Sequence, residues 1–362
     1  MQRVMAAATI ILAVSAMPCF GASSAPPMTP ELQKIVDGAK AEKVMLSNTN
    51  PLVFGGPANI AAAKAWIKET FGVDLDFNVT NGGPFGIVGA KIATEFRAGQ
   101  PSSVDLWAAG IAQYDPLLKS GMFVEVPWQK LWPQRVIDKQ IGADGYSIAF
   151  ATGTPGVLYN TATGADFAQV KTIDDLLKPQ YKGRFGTTAF ANGFDAMSAK
   201  SWEGEARMID YIGKLGKQAQ GILNCGGQDR VASGEFQALV LDCVGGEPNV
   251  EPYIGKLGLA VPADAAQLQY YELLIPKHAP HPNTAILFTL YLLTEQGQRG
   301  TRNGIGADLD YYPDTTMHKF VGDTEAKGIK FRRVDYQFWK DNPGIDVSGA
   351  KLGKALKEAI GG

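Results

Sequence analysis

The sequence predicts an α/β protein with two lobes that are joined by two crossing segments, and three observations support this prediction. The chain has 362 residues, enough for two domains or for one domain divided into two lobes. Short apolar strands alternate with helical segments, an order typical of a largely parallel sheet. Two β-rich stretches, 146–161 and 257–265, are interrupted by Pro or Gly, which indicates an edge or a crossing point in each.

The first lobe begins with a regular alternation of helices and strands. Helices are predicted at 31–43, 57–72 and 111–123, and a further helix follows the Gly-rich turn of 81–100; strands are predicted at 44–48, 73–80 and 104–110. The stretch 146–161 then carries the chain into the second lobe, because Gly153, Pro155 and Gly156 interrupt its β pattern. The first part of this lobe is therefore assigned to 26–153.

The second lobe is assigned to 154–261 and the return to the first lobe to 262–362, which includes a C-terminal tail. A helix is predicted from 172 with Thr172 as its N-cap, followed by a strand at 183–190, helical pattern at 195–223 and a strand at 236–243. Pro262 marks the second crossing. A buried helix is predicted at 284–296.

The N-terminal residues have the pattern of a secretory signal peptide. Arg3 precedes an apolar run at 4–17, and small residues follow at 21–25. The run is shorter than the roughly 20 residues that a membrane span needs. Cys19 raises the question of lipidation, but Pro18 before it fits a lipobox poorly. We expect 1–25 to be removed and the mature protein to be exported to the periplasm.

Composition excludes some classes of partner. The net charge is −2, with 45% hydrophobic and 19% charged residues, as in soluble globular proteins, and no Lys/Arg block indicates a nucleic-acid partner. His278 and His281 are separated by Pro280 and followed by Pro282, so both are predicted in an extended lead-in to the helix rather than on one helix face that could bind a metal.

Several segments, taken in order, resemble the periplasmic extracellular solute-binding proteins of ATP-binding-cassette importers. They are 90–107 (AKIATEFRAGQPSSVDLW), 154–161 (TPGVLYNT), 172–186 (TIDDLLKPQYKGRFG), 233–240 (SGEFQALV) and the proline-bounded helix 285–298 (AILFTLYLLTEQGQ). The resemblance is greatest to the iron-type and organic-solute branch. It implies a type II periplasmic binding fold with two crossing strands at the hinge, a ligand between the lobes, and permease and ATPase subunits as partners of a monomer.

A ligand in such a cleft is expected at the carboxyl ends of strands and the starts of helices, where free backbone N–H groups favour anionic or polar groups. The candidates are residues of four such loops and two tyrosines beside the crossings. They are Ser47, Asn48, Thr49, Asn81, Gly82, Gly83, Tyr159, Thr187, Thr188, Arg230, Asp242 and Tyr270. Arg230 could hold a carboxylate or phosphate with two hydrogen bonds.

Two further features bear on the ligand and on rival functions. Cys225 and Cys243 form a disulfide or remain free thiols; the oxidising periplasm favours the disulfide. Ferric-binding relatives place a tyrosine pair where this chain has Val244 and Gly245, so an organic, anionic solute is favoured over iron, and no metal or cofactor is expected. GxSxG, HExxH and Cys–His catalytic patterns are absent, which disfavours an exported enzyme. A binding subunit that signals to a receptor remains an alternative.

Overall fold

The computed structural model describes residues 25–190, 192–223, 227–241 and 253–361. Its strands are β1 Val44–Ser47, β2 Asp76–Val79, β3 Trp107–Gly110, β4 Ile141–Gly142, β5 Ser147–Gly153, β6 Val157–Asn160, β7 Phe185–Thr188, β8 Gly221–Leu223, β9 Ala238–Val240, β10 Leu257–Ala260, β11 Gln267–Leu274 and β12 Arg332–Val334.

The helices lie between these strands and after them. They are α1 Pro30–Glu42, α2 Gly56–Phe71, α3 Phe85–Arg97, α4 Ile111–Leu118, α5 Trp128–Leu131, α6 Phe194–Met197, α7 Glu205–Gln218, α8 Gln228–Ala232, α9 Pro282–Leu292, α10 Glu295–Ile305, α11 Thr316–Ala326, α12 Tyr336–Asp341 and α13 Ile345–Gly361. Within the described ranges, no helix combines the length and the hydrophobicity that a bilayer crossing requires.

The strands divide into two groups that correspond to the two lobes. In the first lobe β11 lies between β5 and β3, antiparallel to both, and its first residues pair with β12. The parallel pair β1–β2 lies beside β3, where the Asp105 amide donates to the Leu46 carbonyl at 2.8 Å. The second lobe contains a sheet of order β10-β6-β9-β7-β8. The predicted α/β fold with two lobes is confirmed.

The chain passes between the two sheets at the two places that Pro and Gly marked. β5 belongs to the first sheet and β6 to the second, with only 154–156 between them. β10 belongs to the second sheet and β11 to the first, separated by 261–266. Pro and Gly fit these segments because neither residue suits a paired strand interior.

The core of the first lobe forms around α9, in which every residue from Thr284 to Leu292 is buried. Phe288 packs edge-on against Phe54 at a centroid separation of 5.3 Å. Pro282 occupies the first turn and His281 the N-cap, as the sequence predicted. His281 donates its backbone amide to the buried Asp105 carboxylate at 2.8 Å, so this histidine anchors the start of the helix.

Three predicted elements differ from those observed. The predicted helix 284–296 ends at Leu292, because Thr294 is extended and caps α10 by accepting the Gly297 amide at 2.9 Å. The helical pattern of 195–223 resolves into α6, α7 and the strand β8. The helix that follows Thr172 is a 3₁₀ helix, Ile173–Leu177. Each difference reflects a local cap or a β pairing that helical periodicity alone does not show.

The last helix does not stay with the first lobe. Leu352 and Leu356 of α13 are fully buried in the core of the second lobe, beside Tyr211 and Leu215 of α7. Lys351 of α13 also forms an ion pair with Glu205 at 2.8 Å. The segment that follows the second crossing therefore contributes β11, β12 and α9–α11 to the first lobe and ends on the second.

Candidate ligand-binding cleft

Strand registers place the two predicted loops of the first lobe, after β1 and β2, at the same edge of its sheet as the end of β3. Ser47 pairs with Val79, so β1 and β2 end at the same level. Gly110 at the end of β3 pairs with Tyr271 of β11, and the neighbouring Tyr270 pairs with Thr152 at the end of β5. The carboxyl ends of β1, β2 and β3 thus lie on the side where the first crossing leaves the sheet.

The second sheet presents an equivalent edge. Thr188 pairs with Leu223, so β7 and β8 end together, and Val240 ends β9 beside them. Val157, the first residue after the first crossing, pairs with Val240 and with Ala260, the last residue before the second crossing. The carboxyl ends of β7, β8 and β9 therefore also lie on the crossing side.

The two edges are joined by a short segment and by a hydrogen bond. Residues 154–156 are all that separates β5 from β6, and such a segment spans at most about 14 Å between strand ends. A direct link also exists, because Gln267 Nε2 at the end of the second crossing donates to the Gly193 carbonyl in the β7–α6 loop at 3.1 Å. This arrangement defines the cleft: two sheet edges with loops, joined by two crossings.

The β1 loop is held by bonds within the first lobe. Ser47 is buried and its hydroxyl donates to the Leu106 carbonyl at 2.9 Å. Asn48 accepts the Thr80 hydroxyl on its side-chain oxygen at 2.8 Å, which links the β1 and β2 loops. Thr49 is 1% exposed, and its hydroxyl has no hydrogen-bond partner among the described residues. Of these three candidates, Thr49 alone has a buried side-chain polar atom with no partner among the described residues.

The β2 loop needs its glycines for different reasons. A Cβ at Gly82 would lie 2.7 Å from Asn48 Cβ, so the β1 loop leaves no room for a side chain at position 82. Gly83 has φ 90°, a left-handed conformation that favours glycine, and its amide donates to the Asn81 side chain at 3.0 Å. The Gly82 amide donates to the Asn48 carbonyl at 3.0 Å. The bare amides expected here are thus partly used within the loops.

The β7 candidates are both fully buried. The Thr187 hydroxyl donates to the Val240 carbonyl at 3.3 Å. The Thr188 hydroxyl, at the last residue of β7, has no hydrogen-bond partner in the described part of the chain. Thr154 in the first crossing is also buried, and its hydroxyl likewise has no partner among the described residues. It was not among the predicted site residues. Only its position between Gly153 and Pro155 could have indicated it.

Arg230 is engaged within its own lobe. Its Nε donates to Glu235 at 2.7 Å, its Nη2 contacts the same carboxylate, and its guanidinium lies 4.8 Å from the centre of the Phe236 ring. The Tyr159 ring lies against Gly258 and leaves no room for a Cβ at that position. Asp242, Cys225, Cys243, Val244 and Gly245 lie outside the described residues, so the predicted disulfide does as well.

Tyr270 belongs to a cluster beneath the first crossing. Its ring stacks on Tyr311 at 5.2 Å with an interplanar angle of 5°, and its hydroxyl contacts Arg333. Arg333 pairs with Asp310 at 2.6 Å, and Asp310 accepts the Thr152 hydroxyl at 2.8 Å. Burial raises the pKa of Tyr270 well above its ordinary value and that of Tyr311 to about 12. Phenolate, the form that binds Fe(III), is disfavoured in both.

Among the described residues, no group of three or more His, Cys, Asp and Glu side chains could hold a metal ion. His278 contacts the Gln100 carbonyl at 3.2 Å, whereas His281 is bound to Asp105, so the two histidines have separate partners.

Comparisons with known proteins agree with this architecture. The family described as bacterial extracellular solute-binding protein matches residues 61–308. Similar structures include the substrate-binding protein of an ABC transporter from Agrobacterium tumefaciens (TM-score 0.64, 15% identity, covering 88% of this chain and 93% of that one). MotA of A. tumefaciens B6 with glucopine (0.62, 14%, 86% and 99%) and iron-bound HitA of Pseudomonas aeruginosa (0.59, 16%, 88% and 98%) are also similar.

None of the curated proteins matches the chain in sequence. At 14–16% identity the solved structures show a shared fold and nothing finer. The family match is more informative because it spans more than half of the chain, including both crossings. The chain therefore belongs to the bacterial extracellular solute-binding protein family.

Proposed function

We propose that this protein binds a small organic solute between the two sheet edges and delivers it to the permease and ATPase subunits of an ABC importer. The observation that carries the proposal is the placement of both loop-bearing edges on the side of the crossings. A solute there contacts both lobes at once. Because binding to both edges is possible only when they are close, the solute stabilises the closed form.

Hinge bending would occur at 154–156 and 261–266, with 26–153 and most of the segment after 262 moving as one lobe and 154–261 as the other. Both segments lie outside the strands of either sheet. We further propose that residues 1–25 are removed on export and that the protein acts as a monomer in the periplasm. The extracellular character of the family supports this location.

The relatives do not identify the solute. Structurally similar proteins transport spermidine/putrescine or hold glucopine, fructose-6-phosphate, or iron with citrate, and these solutes have no chemical group common to all of them. The chain's own residues are more informative. We propose that the hydroxyls of Thr49 and Thr188, one on each edge and neither with a partner among the described residues, hydrogen-bond to the solute, since a buried hydroxyl without a partner costs about 1–3 kcal/mol.

The test is a thermal-shift screen of the mature protein with organic acids, phosphonates, amino acids, sugar phosphates, polyamines and Fe(III). A solute at a hundredfold excess over its Kd adds about 2.7 kcal/mol to the free energy of unfolding. Small-angle scattering with and without the solute should show a smaller radius of gyration on binding. The proposal fails if no compound raises Tm, or if a bound compound leaves the radius unchanged.

A variant pair tests the hydroxyl contact. Thr188→Val removes an unpartnered hydroxyl, so the unliganded protein should become more stable by about 1 kcal/mol while the solute binds about tenfold more weakly. Thr301→Val is the matched control, because the buried Thr301 hydroxyl donates to the Gly297 carbonyl at 3.0 Å in α10. The control should lose about 1 kcal/mol of stability and keep its affinity. Equal affinities for the two variants would reject the contact.

A further inference from the structure

The second crossing is bonded to the second lobe as far as Asp264. The Ala263 amide donates to the Lys171 carbonyl at 2.7 Å. The Asp264 carboxylate accepts the Ile173 amide at 3.0 Å. The Asp264 carbonyl accepts the indole N–H of Trp202, in the segment between α6 and α7, at 2.9 Å. These three bonds hold the first part of the crossing to the second lobe, so this part moves with that lobe.

The same crossing is bonded to the first lobe from Ala266 onward. The Ala266 carbonyl accepts the Arg332 amide at 3.0 Å, and the next residue, Gln267, begins β11 and pairs with Arg332 of β12. Ala265 is therefore the one residue between the parts that are bonded to the two lobes. Its own amide donates to the Pro262 carbonyl at 3.1 Å, inside the crossing. Because a hinge absorbs motion in a few residues between the moving bodies, this crossing bends at Ala265.

The side chain of Arg332 reaches across this bend. Its backbone belongs to β12 of the first lobe, whereas its Nη1 donates to the Ser201 carbonyl of the second lobe at 2.9 Å. The guanidinium lies 4.8 Å from the centre of the Trp202 ring, and the Phe338 ring is nearly perpendicular to the same indole at 6.5 Å. Trp202 thus contacts the first lobe with its ring and the second crossing with its N–H.

Another contact between the lobes lies beside the bend. Gln267 is fully buried, and its Nε2 donates to the Gly193 carbonyl in the β7–α6 loop at 3.1 Å. Gly193 has φ 80°, and a Cβ at this position would lie 3.2 Å from Pro155 Cβ in the first crossing. The two crossings therefore meet at Gly193, which places them near one axis of rotation.

We propose that Arg332 and Trp202 form a clasp across the second crossing, which confines its bending to Ala265 and restricts the angle between the lobes before a solute binds. A rotation about Ala265 changes the separation of β12 from Ser201, so the clasp is kept only over a narrow range of angles. It is held by a hydrogen bond from a charged donor and by the attraction of a cation to an indole face. The inference rests on the proposed function for the movement itself and narrows the hinge segment 261–266 to one residue.

The angle between the lobes can be measured on the mature protein without a solute. A ketone-bearing amino acid at the exposed positions of Glu69 in α2 and Lys217 in α7 takes a spin label without involving the cysteines. Double electron–electron resonance then gives the distribution of distances between the two labels, which should be narrow. Arg332→Ala should widen this distribution about twofold, because more interlobe angles become populated. A distribution that is already broad in the parent protein, or that keeps its width in the variant, would overturn the inference.

A second arginine provides the matched control. Arg207 also pairs with two carboxylates and lies 5.9 Å from the centre of a tyrosine ring, but all of these partners belong to the second lobe. Arg207→Ala should therefore leave the distance distribution unchanged. A width equal to that of Arg332→Ala would show that the loss of any such arginine loosens the protein, and the clasp would be rejected.

Two alanine substitutions test the position of the bend. Ala265→Gly adds backbone freedom between the lobes and should widen the distribution, whereas Ala263→Gly adds it where the amide is bonded to Lys171 and should not. Equal widths for the two variants would contradict a bend at Ala265. Failure of these measurements leaves the thermal-shift screen unaffected, whereas a screen without any solute would count against the proposed function alone.

Discussion

Glu272 should make the stability of this protein decrease as the pH rises from 5 to 8. The residue lies in β11, in the middle of the first sheet, and is 3% exposed. Its carboxylate accepts the Tyr114 hydroxyl at 2.8 Å and contacts the Ser147 hydroxyl, while Gly142 of β4 closes the site. Repulsion from Asp335, which carries the same negative charge, also raises the pKa of Glu272. None of these neighbours is a cation that could stabilise the ionised Glu272 carboxylate.

Burial raises the pKa of Glu272 from 4.5 to about 7, against the two hydroxyl donors that lower it. In the unfolded chain the carboxyl loses its proton near pH 4.5, whereas in the folded protein it keeps the proton until about pH 7. The folded state therefore binds more protons over this window, and the free energy of unfolding falls as pH rises. The full shift in the pKa of Glu272 corresponds to about 3 kcal/mol of unfolding free energy.

Glu272→Gln should remove this dependence. Between pH 5 and pH 8, the wild type should lose about 3 kcal/mol of unfolding free energy relative to the variant. Chemical denaturation followed by tryptophan fluorescence at the two pH values measures it. The exposed Glu69→Gln is the control and should show no such shift. Parallel pH profiles for wild type and Glu272→Gln would refute the reasoning.

Further predictions concern the loops of the cleft. Gly82→Ala should lower the free energy of unfolding by about 1–3 kcal/mol, because its Cβ would overlap the β1 loop; Gly86→Ala, where the space is open, should be neutral in thermal denaturation. Arg230→Gln should change solute affinity less than about twofold, since its guanidinium is paired with Glu235 at an exposed site. Isothermal titration measures this, and a larger loss would return Arg230 to the binding site.

Local chemistry accounts for the parts of the fold that the sequence predicted. Pro282 restricts the backbone before it and tolerates the first turn, so the start of α9 was predictable within two residues. The two crossings were predictable because Pro155 and Pro262 lack the N–H that a paired strand requires. Both features depend on a few neighbouring residues, which a single sequence displays in full.

Long-range pairing accounts for what the sequence did not predict. In the sequence, Glu272 is a single charged residue within an apolar strand. Its hydrogen-bond partners lie 125 and 158 residues away, so the sequence does not indicate them. Arg230 reads as a free guanidinium, although Glu235 is close enough in sequence to have suggested itself as a partner. The hydroxyls of Thr49 and Thr188 have no partner in the part of the chain that the structure describes, and they differ from the bonded hydroxyl of Thr187 only in what the folded chain places beside them.

The C-terminal segment adds a third connection between the lobes, and this connection restricts how they can move. β12 pairs with β11 of the first lobe, whereas α13 buries Leu352 and Leu356 in the core of the second. Exposing two leucines would cost about 3–6 kcal/mol, so α13 must move with α7. The segment between β12 and α13 also contacts the second lobe, where Ser201 donates to Asn342 at 2.7 Å. Closure around a solute therefore has to bend three segments together, which favours one hinge axis over a free rotation.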